Sequence, residues 1–175
     1  MKVLILYATR NGVTGQCAQM LKKKLDAFSE VTLCDIHKET PPSPESFDVA
    51  VLGGSVRMGH LAKALRQYLK QHKEALSGMP AAFWFCCGFP ENMEDYIETQ
   101  LPRGIRFSLG IHCFGGELKP EKLHGMDKFV IKAVRSSIRT RDFEASEMDQ
   151  FTLPEITPEN IDRLADAIRH LKGTL

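Results

Sequence analysis

The chain has 175 residues, 43% hydrophobic and 26% charged, with a formal net charge of +1. That is enough for one domain with a sizeable core, and too little net charge to create a field favouring nucleic acid. Its five cysteines are odd in number, form no CxxC and share no zinc spacing with histidine, so free thiols in a reducing cytosol and no metal are expected. A single Lys2 before five apolar residues is too short for a secretory leader, and no run approaches a membrane span.

Val3 to Tyr7 is apolar and β-branched or aromatic enough to be a buried strand. It runs into a small polar loop, Ala8 to Thr14, and then into an amphipathic helix over Gly15 to Phe28, with Cys17, Met20, Leu21, Leu25 and Phe28 on one face. The lysines at 22 to 24 fit a solvated face. Val31 to Ile36 is a second strand, and the proline-bearing stretch His37 to Ser46 is a loop. Phe47 to Gly54 has the continuous apolar character of a strand covered on both faces. After the loop Ser55 to His60, the spacing of Leu61, Leu65, Tyr68, Leu69 and Leu76 predicts one helix over Leu61 to Leu76. Ala81 to Cys87 is the fourth strand, Glu91 to Leu101 a short helix and Phe107 to Phe114 the fifth strand. Trp84 falls inside its strand as core, and Cys86 and Cys87 read as small buried apolar residues.

Gly115 to Pro154 breaks the alternation, as an insertion of about 116–153. Within it, 124–141 predicts a basic amphipathic helix. Met126, Phe129, Val130, Ala133, Val134 and Ile138 share one face, while Lys128, Lys132, Arg135, Arg139 and Arg141 crowd the rest. Such a helix can rest on an anionic membrane, or simply pack its apolar face on the domain. Thr157 and Pro158 then open a last helix to Lys172. The whole reads as one α/β domain over 1–175, a doubly wound parallel sheet whose ligand site lies at the carboxyl ends of the strands.

The loops at that edge are Thr9–Thr14, Ser55–His60 and Gly88–Met93. The first is neither GxGxxG nor GxxxxGK[ST], which excludes the dinucleotide and nucleoside-triphosphate fingerprints. What it offers is a helix N-terminus with Thr9, Asn11 and Thr14 as added donors, an anion site. The plain alternative is a strand-to-helix turn capped by Thr14 or Asn11. A phosphoacceptor receiver would need acids after the first and third strands, where Tyr7-Ala8-Thr9 and Gly53-Gly54-Ser55 stand instead.

The loop T-x-N-G-x-T directly after the first strand resembles the flavodoxin phosphate loop, with Asn11 in place of the usual middle threonine. The segment Gly53 to His60, GGSVRMGH, is similar to the G-x-S-[IV]-R-x-G-H segment of the bacterial quinone-dependent protoporphyrinogen dehydrogenase subgroup of flavodoxin-like proteins. Met1 to Thr14, Met79 to Phe83, Gly115 to Leu118 and Met126 to Lys132 also resemble that subgroup. The chain departs from it at Lys119 to Gly125, which lacks the subgroup's aromatics, and in the acids Glu91, Glu94, Asp95 and Glu98.

The resemblance implies a flavodoxin-like five-stranded sheet of order 2-1-3-4-5 and an FMN cofactor. Thr9, Arg10, Asn11, Gly12, Val13 and Thr14 would form the phosphate loop. Ser55, Val56, Arg57, Met58, Gly59 and His60 would line one side of the flavin, and Cys87, Gly88, Phe89 and Asn92 the other. Met58 and Phe89 would flank the ring. Arg57 and His60 are the candidates for a catalytic part, with a solvated loop charge and a helix-flanking residue as the competing readings. Gly59 would allow a turned carbonyl at the flavin edge. The implied function is an FMN-dependent oxidoreductase passing electrons from a donor, a porphyrinogen in this subgroup, to a quinone, in the cytoplasm or peripherally on the inner face of the membrane. A flavodoxin-type carrier between redox proteins is the alternative, and a non-redox FMN protein a third.

Overall fold

The first strand, β1 (Lys2–Ala8), is buried from Val3 onward and sits inside a sheet of order β2-β1-β3-β4-β5, the expected order. The computed structural model describes residues 1–10, 12–57, 59–87, 92–116 and 155–173. The remaining strands are β2 (Glu30–Asp35), β3 (Val49–Ser55), β4 (Ala81–Cys86) and β5 (Ile111–Cys113), and every pairing is parallel. The helices are α1 (Val13–Leu25), α2 (Lys63–Gln71), α3 (Lys73–Gly78), α4 (Met93–Gln100) and α5 (Pro158–Lys172).

Alternate residues of the central strands feed two cores, so β1, β3 and β4 are apolar at nearly every position. Val3, Ile5, Val51 and Trp84 pack with Leu21 and Leu25 of α1 and with Ile161, Leu164 and Ile168 of α5. Leu4, Leu6, Leu52, Phe83 and Phe85 pack with Leu65, Tyr68 and Leu69 of α2 and Leu76 of α3. Trp84 is fully buried, as its place in the strand implied, and stacks on Phe114 at 5.4 Å between ring centres. Lys24 pairs with Asp162 across α1 and α5.

Besides shifts of one or two residues at other element ends, three elements differ from the sequence expectation. The helix expected over Leu61 to Leu76 is two, because His72 leaves helical geometry at φ −107 and ψ 23. An unbroken stripe would need an apolar residue at 72 or 73, where His72 and Lys73 stand. β5 begins only at Ile111, because Gly110 (φ 87) closes a turn by donating its amide to the Phe107 carbonyl at 2.9 Å. α1 starts at Val13 and stops at Leu25, leaving Phe28 packed on the core from a turn, beneath the guanidinium of Arg169.

The segment expected as an insertion, with its basic helix at 124–141, lies outside the described residues apart from its root at Gly116. Its described flanks meet: Gly115 bridges Ile156 in antiparallel fashion, and Thr157 donates its amide to Phe114 at 3.0 Å. Among the described residues no helix is long and apolar enough to cross a membrane.

Candidate functional site

The strand register brings the expected loops together. Ala8 is level with Gly54, and Ser55 with Cys86, so the chain leaves β1, β3 and β4 at one carboxyl edge. Val56 extends the pairing by donating its amide to Cys86 at 3.0 Å.

The first loop closes on itself. The Gly12 amide donates to Thr9 Oγ1 at 3.1 Å, and Gly12 takes φ 91 at the N-cap position of α1. A side chain at that φ would be strained, which explains glycine there. The N-cap of α1 is Gly12, so the alternative of Thr14 or Asn11 as a cap does not hold for Thr14, which lies inside the first turn; Asn11 lies outside the described residues. Among the described residues, the thirteen-residue helix therefore presents its first turn to the loop without a side-chain acceptor.

Thr14 is 1% exposed, and among the described residues its hydroxyl has no hydrogen-bond partner of ordinary geometry. It lies close enough to the Cys86 thiol to hold that group's pKa down slightly. The larger effects there, a hydrogen bond to Cys17 and then complete burial, push the Cys86 thiol well above its ordinary range. A buried hydroxyl lacking a good partner beside an uncapped helix terminus suits an anionic oxygen. Thr9 and Val13 are half-buried, while Arg10 and Gly12 are exposed.

The second loop is a tight turn. Arg57 and His60 exchange both amide-to-carbonyl bonds at 3.0 Å, and Gly59 takes φ 77 at the turn's third position, where a positive φ is required. Ser55, Val56 and Arg57 are half-buried; Gly59 and His60 are exposed; Met58 lies outside the described residues. Behind this turn, the buried Gln100 of α4 accepts the Leu61 amide on Oε1 at 3.2 Å.

The third loop is described only at its ends. Gly88 and Phe89 lie outside the described residues, and Asn92 is exposed at the start of α4. Cys87 is 3% exposed, so only its backbone borders the edge. That backbone is held by the segment just after β5: the Cys87 amide donates to the Gly115 carbonyl at 3.1 Å. Gly116 lies so close that a Cβ there would come within 2.9 Å of the Cys87 oxygen. The flanks of the 117–154 segment are thus anchored beside the third loop. A separate open groove of about 370 Å³, lined by Ile97, Leu101, Arg103, Ile105, Phe107 and Ile111, shares no residue with these loops.

The sequence reading missed two contacts between thiols. Cys86 Sγ donates to Cys17 Sγ at 3.8 Å, and Cys87 Sγ lies 3.7 Å from Cys113 Sγ. Partners 69 and 26 residues apart leave no local spacing to find them by, and only the register makes them neighbours.

A family model described as "Flavodoxin domain" matches residues 4–146. Curated relatives include a protein of Escherichia coli named protoporphyrinogen IX dehydrogenase (quinone), 35% identical over 85 residues, covering 48% of this chain and 47% of that one. A Leishmania major protein of the same name is 33% identical over 85 residues, covering 47% of this chain and 37% of its own. These matches thus span half or less of the relatives' length. Among solved structures, a Streptococcus pneumoniae flavodoxin covers all of both chains at TM-score 0.56 and 14% identity. A flavodoxin of Bacillus cereus covers 77% of this chain and 98% of its own at TM-score 0.51 and 17% identity. At these identities the two structures establish the fold.

Proposed function

We propose that this chain, which belongs to the Flavodoxin domain family, binds FMN across the carboxyl edge of β1, β3 and β4 and works as an oxidoreductase. The observation that carries this reading is the Thr14 hydroxyl, buried without a well-formed hydrogen bond among the described residues, in the first turn of a helix whose N-cap is Gly12. When bound, FMN supplies the electron-transfer chemistry, and the protein contributes binding, orientation and electrostatics.

Thr14 donates to a phosphate oxygen, together with the amides of the first turn of α1. Thr9 holds the loop shut through Gly12, Asn11 and Val13 complete it, and exposed Arg10 balances phosphate charge. The Ser55–His60 turn forms one wall, with Met58 beside the ring and the Gly59 peptide directed by its positive φ. Arg57, half-buried, favours negative charge developing on a reduced ring. Exposed His60 is placed to exchange protons with solvent. Cys87, Gly88, Phe89 and Asn92 form the other wall, with Phe89 flanking the ring.

For the reaction we take the class named by the curated relatives: oxidation of a porphyrinogen with a quinone as electron acceptor. The meeting of Gly116 and Glu155 beside Cys87 supports a substrate-facing role for the segment between them, and the basic amphipathic sequence pattern of 124–141 would bring the site to the membrane where quinones reside. The test is anaerobic oxidation of protoporphyrinogen IX by the FMN-loaded protein with a soluble quinone, followed by porphyrin fluorescence. Quinone-dependent growth of fluorescence is expected. FMN-loaded protein that shows none would overturn the reaction and favour a carrier.

A further inference from the structure

We propose that Cys113 and Cys87 form an oxidisable thiol pair, in which a hydroperoxide oxidises Cys113 and Cys87 then closes an intramolecular disulfide between the ends of β5 and β4. The two sulfurs are 3.7 Å apart, Cys113 standing at the end of β5 level with Phe85 and Cys87 one residue beyond the end of β4. A bond of about 2.0 Å then needs an approach of about 1.7 Å, within reach of side-chain rotation and a small strand shift. The backbones are already tied at this point by the Cys87 amide and the Gly115 carbonyl.

Access distinguishes this pair from its neighbour. Cys17 and Cys86 are almost equally close, but they are 0% and 4% exposed. Cys113 is half-buried, while Cys87 waits behind it at 3% exposure. That is the arrangement of an attacking thiol backed by a resolving one. The attacking sulfur must also be a thiolate. A hydrogen bond from the Cys87 thiol holds Cys113 down, to about 6, with the Gly115 amide helping and partial burial opposing.

In the first step the Cys113 thiolate attacks the terminal oxygen of the hydroperoxide. The O–O bond breaks, the alkoxide takes a proton and leaves as alcohol, and Cys113 becomes a sulfenic acid. In the second, Cys87 loses its proton and attacks the Cys113 sulfur; the S–S bond forms, the S–O bond breaks and water leaves. Two thiols are oxidised by two electrons, and the hydroperoxide is reduced to alcohol and water.

The test treats the reduced full chain with tert-butyl hydroperoxide under native conditions, quenches with N-ethylmaleimide and maps peptides without reduction. The expected product is two hydrogens lighter and carries one Cys87–Cys113 linkage, with Cys17 and Cys86 still reduced. Cys113→Ser should slow hydroperoxide consumption by about tenfold or more. Cys87→Ser should stop at a sulfenic acid trapped by dimedone. Brief labelling of the unsubstituted chain with N-ethylmaleimide should modify Cys113 first, a readout independent of any variant's folding. Linkage of Cys17 to Cys86 at a comparable rate, linkage only in denaturant, or first labelling elsewhere would overturn the proposal. None of these readouts requires bound flavin.

Discussion

The indole of Trp84 lies across the bare backbone of Gly53, its partner in the β3–β4 register, so that a Cβ on Gly53 would fall 1.9 Å from Cε2. The ring belongs to the core under α1 and α5, and it is fully buried with nowhere to retreat. Gly53→Ala should therefore destabilise the fold by about 3 kcal/mol through overpacking. An unchanged midpoint in urea unfolding would show that the ring can move aside. Because Gly53 lies two residues before the second loop, this contact also fixes where Ser55 to His60 begin.

Thr14→Val separates binding from stability. The substitution keeps the shape and removes a buried hydroxyl that lacks a good partner, so unfolding free energy should stay within about 0.5 kcal/mol or rise. A hydrogen bond to a charged oxygen is worth about 1.5–3 kcal/mol, so FMN affinity should fall by about 10- to 100-fold. Fluorescence titration of FMN into the apoprotein measures the second effect and chemical denaturation the first. Equal FMN affinity for both proteins would remove Thr14 from the phosphate site.

Gln100→Ala tests what holds the second loop. The Leu61 amide donates to Gln100 Oε1 in a buried position, and truncation removes that acceptor. A cost of about 1–3 kcal/mol is expected, measured by urea unfolding. Gln100→Glu keeps an acceptor for the amide, and its cost instead reflects burying a charge.

Cys113 gives a pH signature. Its thiol is held at about 6, below the ordinary range near 9, so the thiolate is lost only as pH falls through about 6. Native-state alkylation by iodoacetamide should be nearly complete in rate at pH 7 and fall to half near pH 6. In Cys87→Ala the donated thiol hydrogen bond is lost, and the midpoint should rise. A wild-type midpoint near 9 would mean that Cys113 is an ordinary thiol.

Much of this molecule is written in local pattern. The unbroken apolar runs of β1, β3 and β4 specify strands covered on both faces, and the two cores cover them. The glycines at 12 and 59 mark the turns where positive φ is found. Less legible are features created by register. No spacing links Cys87 to Cys113, or Gly53 to Trp84, until the strands are laid side by side. The break at His72 is visible only as a missing apolar residue in a stripe that otherwise continues to Leu76. Asn11, Met58, Gly88 and Phe89, expected as flavin-loop residues by resemblance, lie outside the described residues.

The most direct measurement is calorimetric titration of FMN into flavin-free, folded protein, with FAD and riboflavin in parallel. Binding of one FMN per chain, with riboflavin much weaker because it lacks the phosphate that Thr14 and the α1 terminus are proposed to receive, is the predicted result. Folded protein that binds no FMN, or binds riboflavin as tightly, would contradict the account.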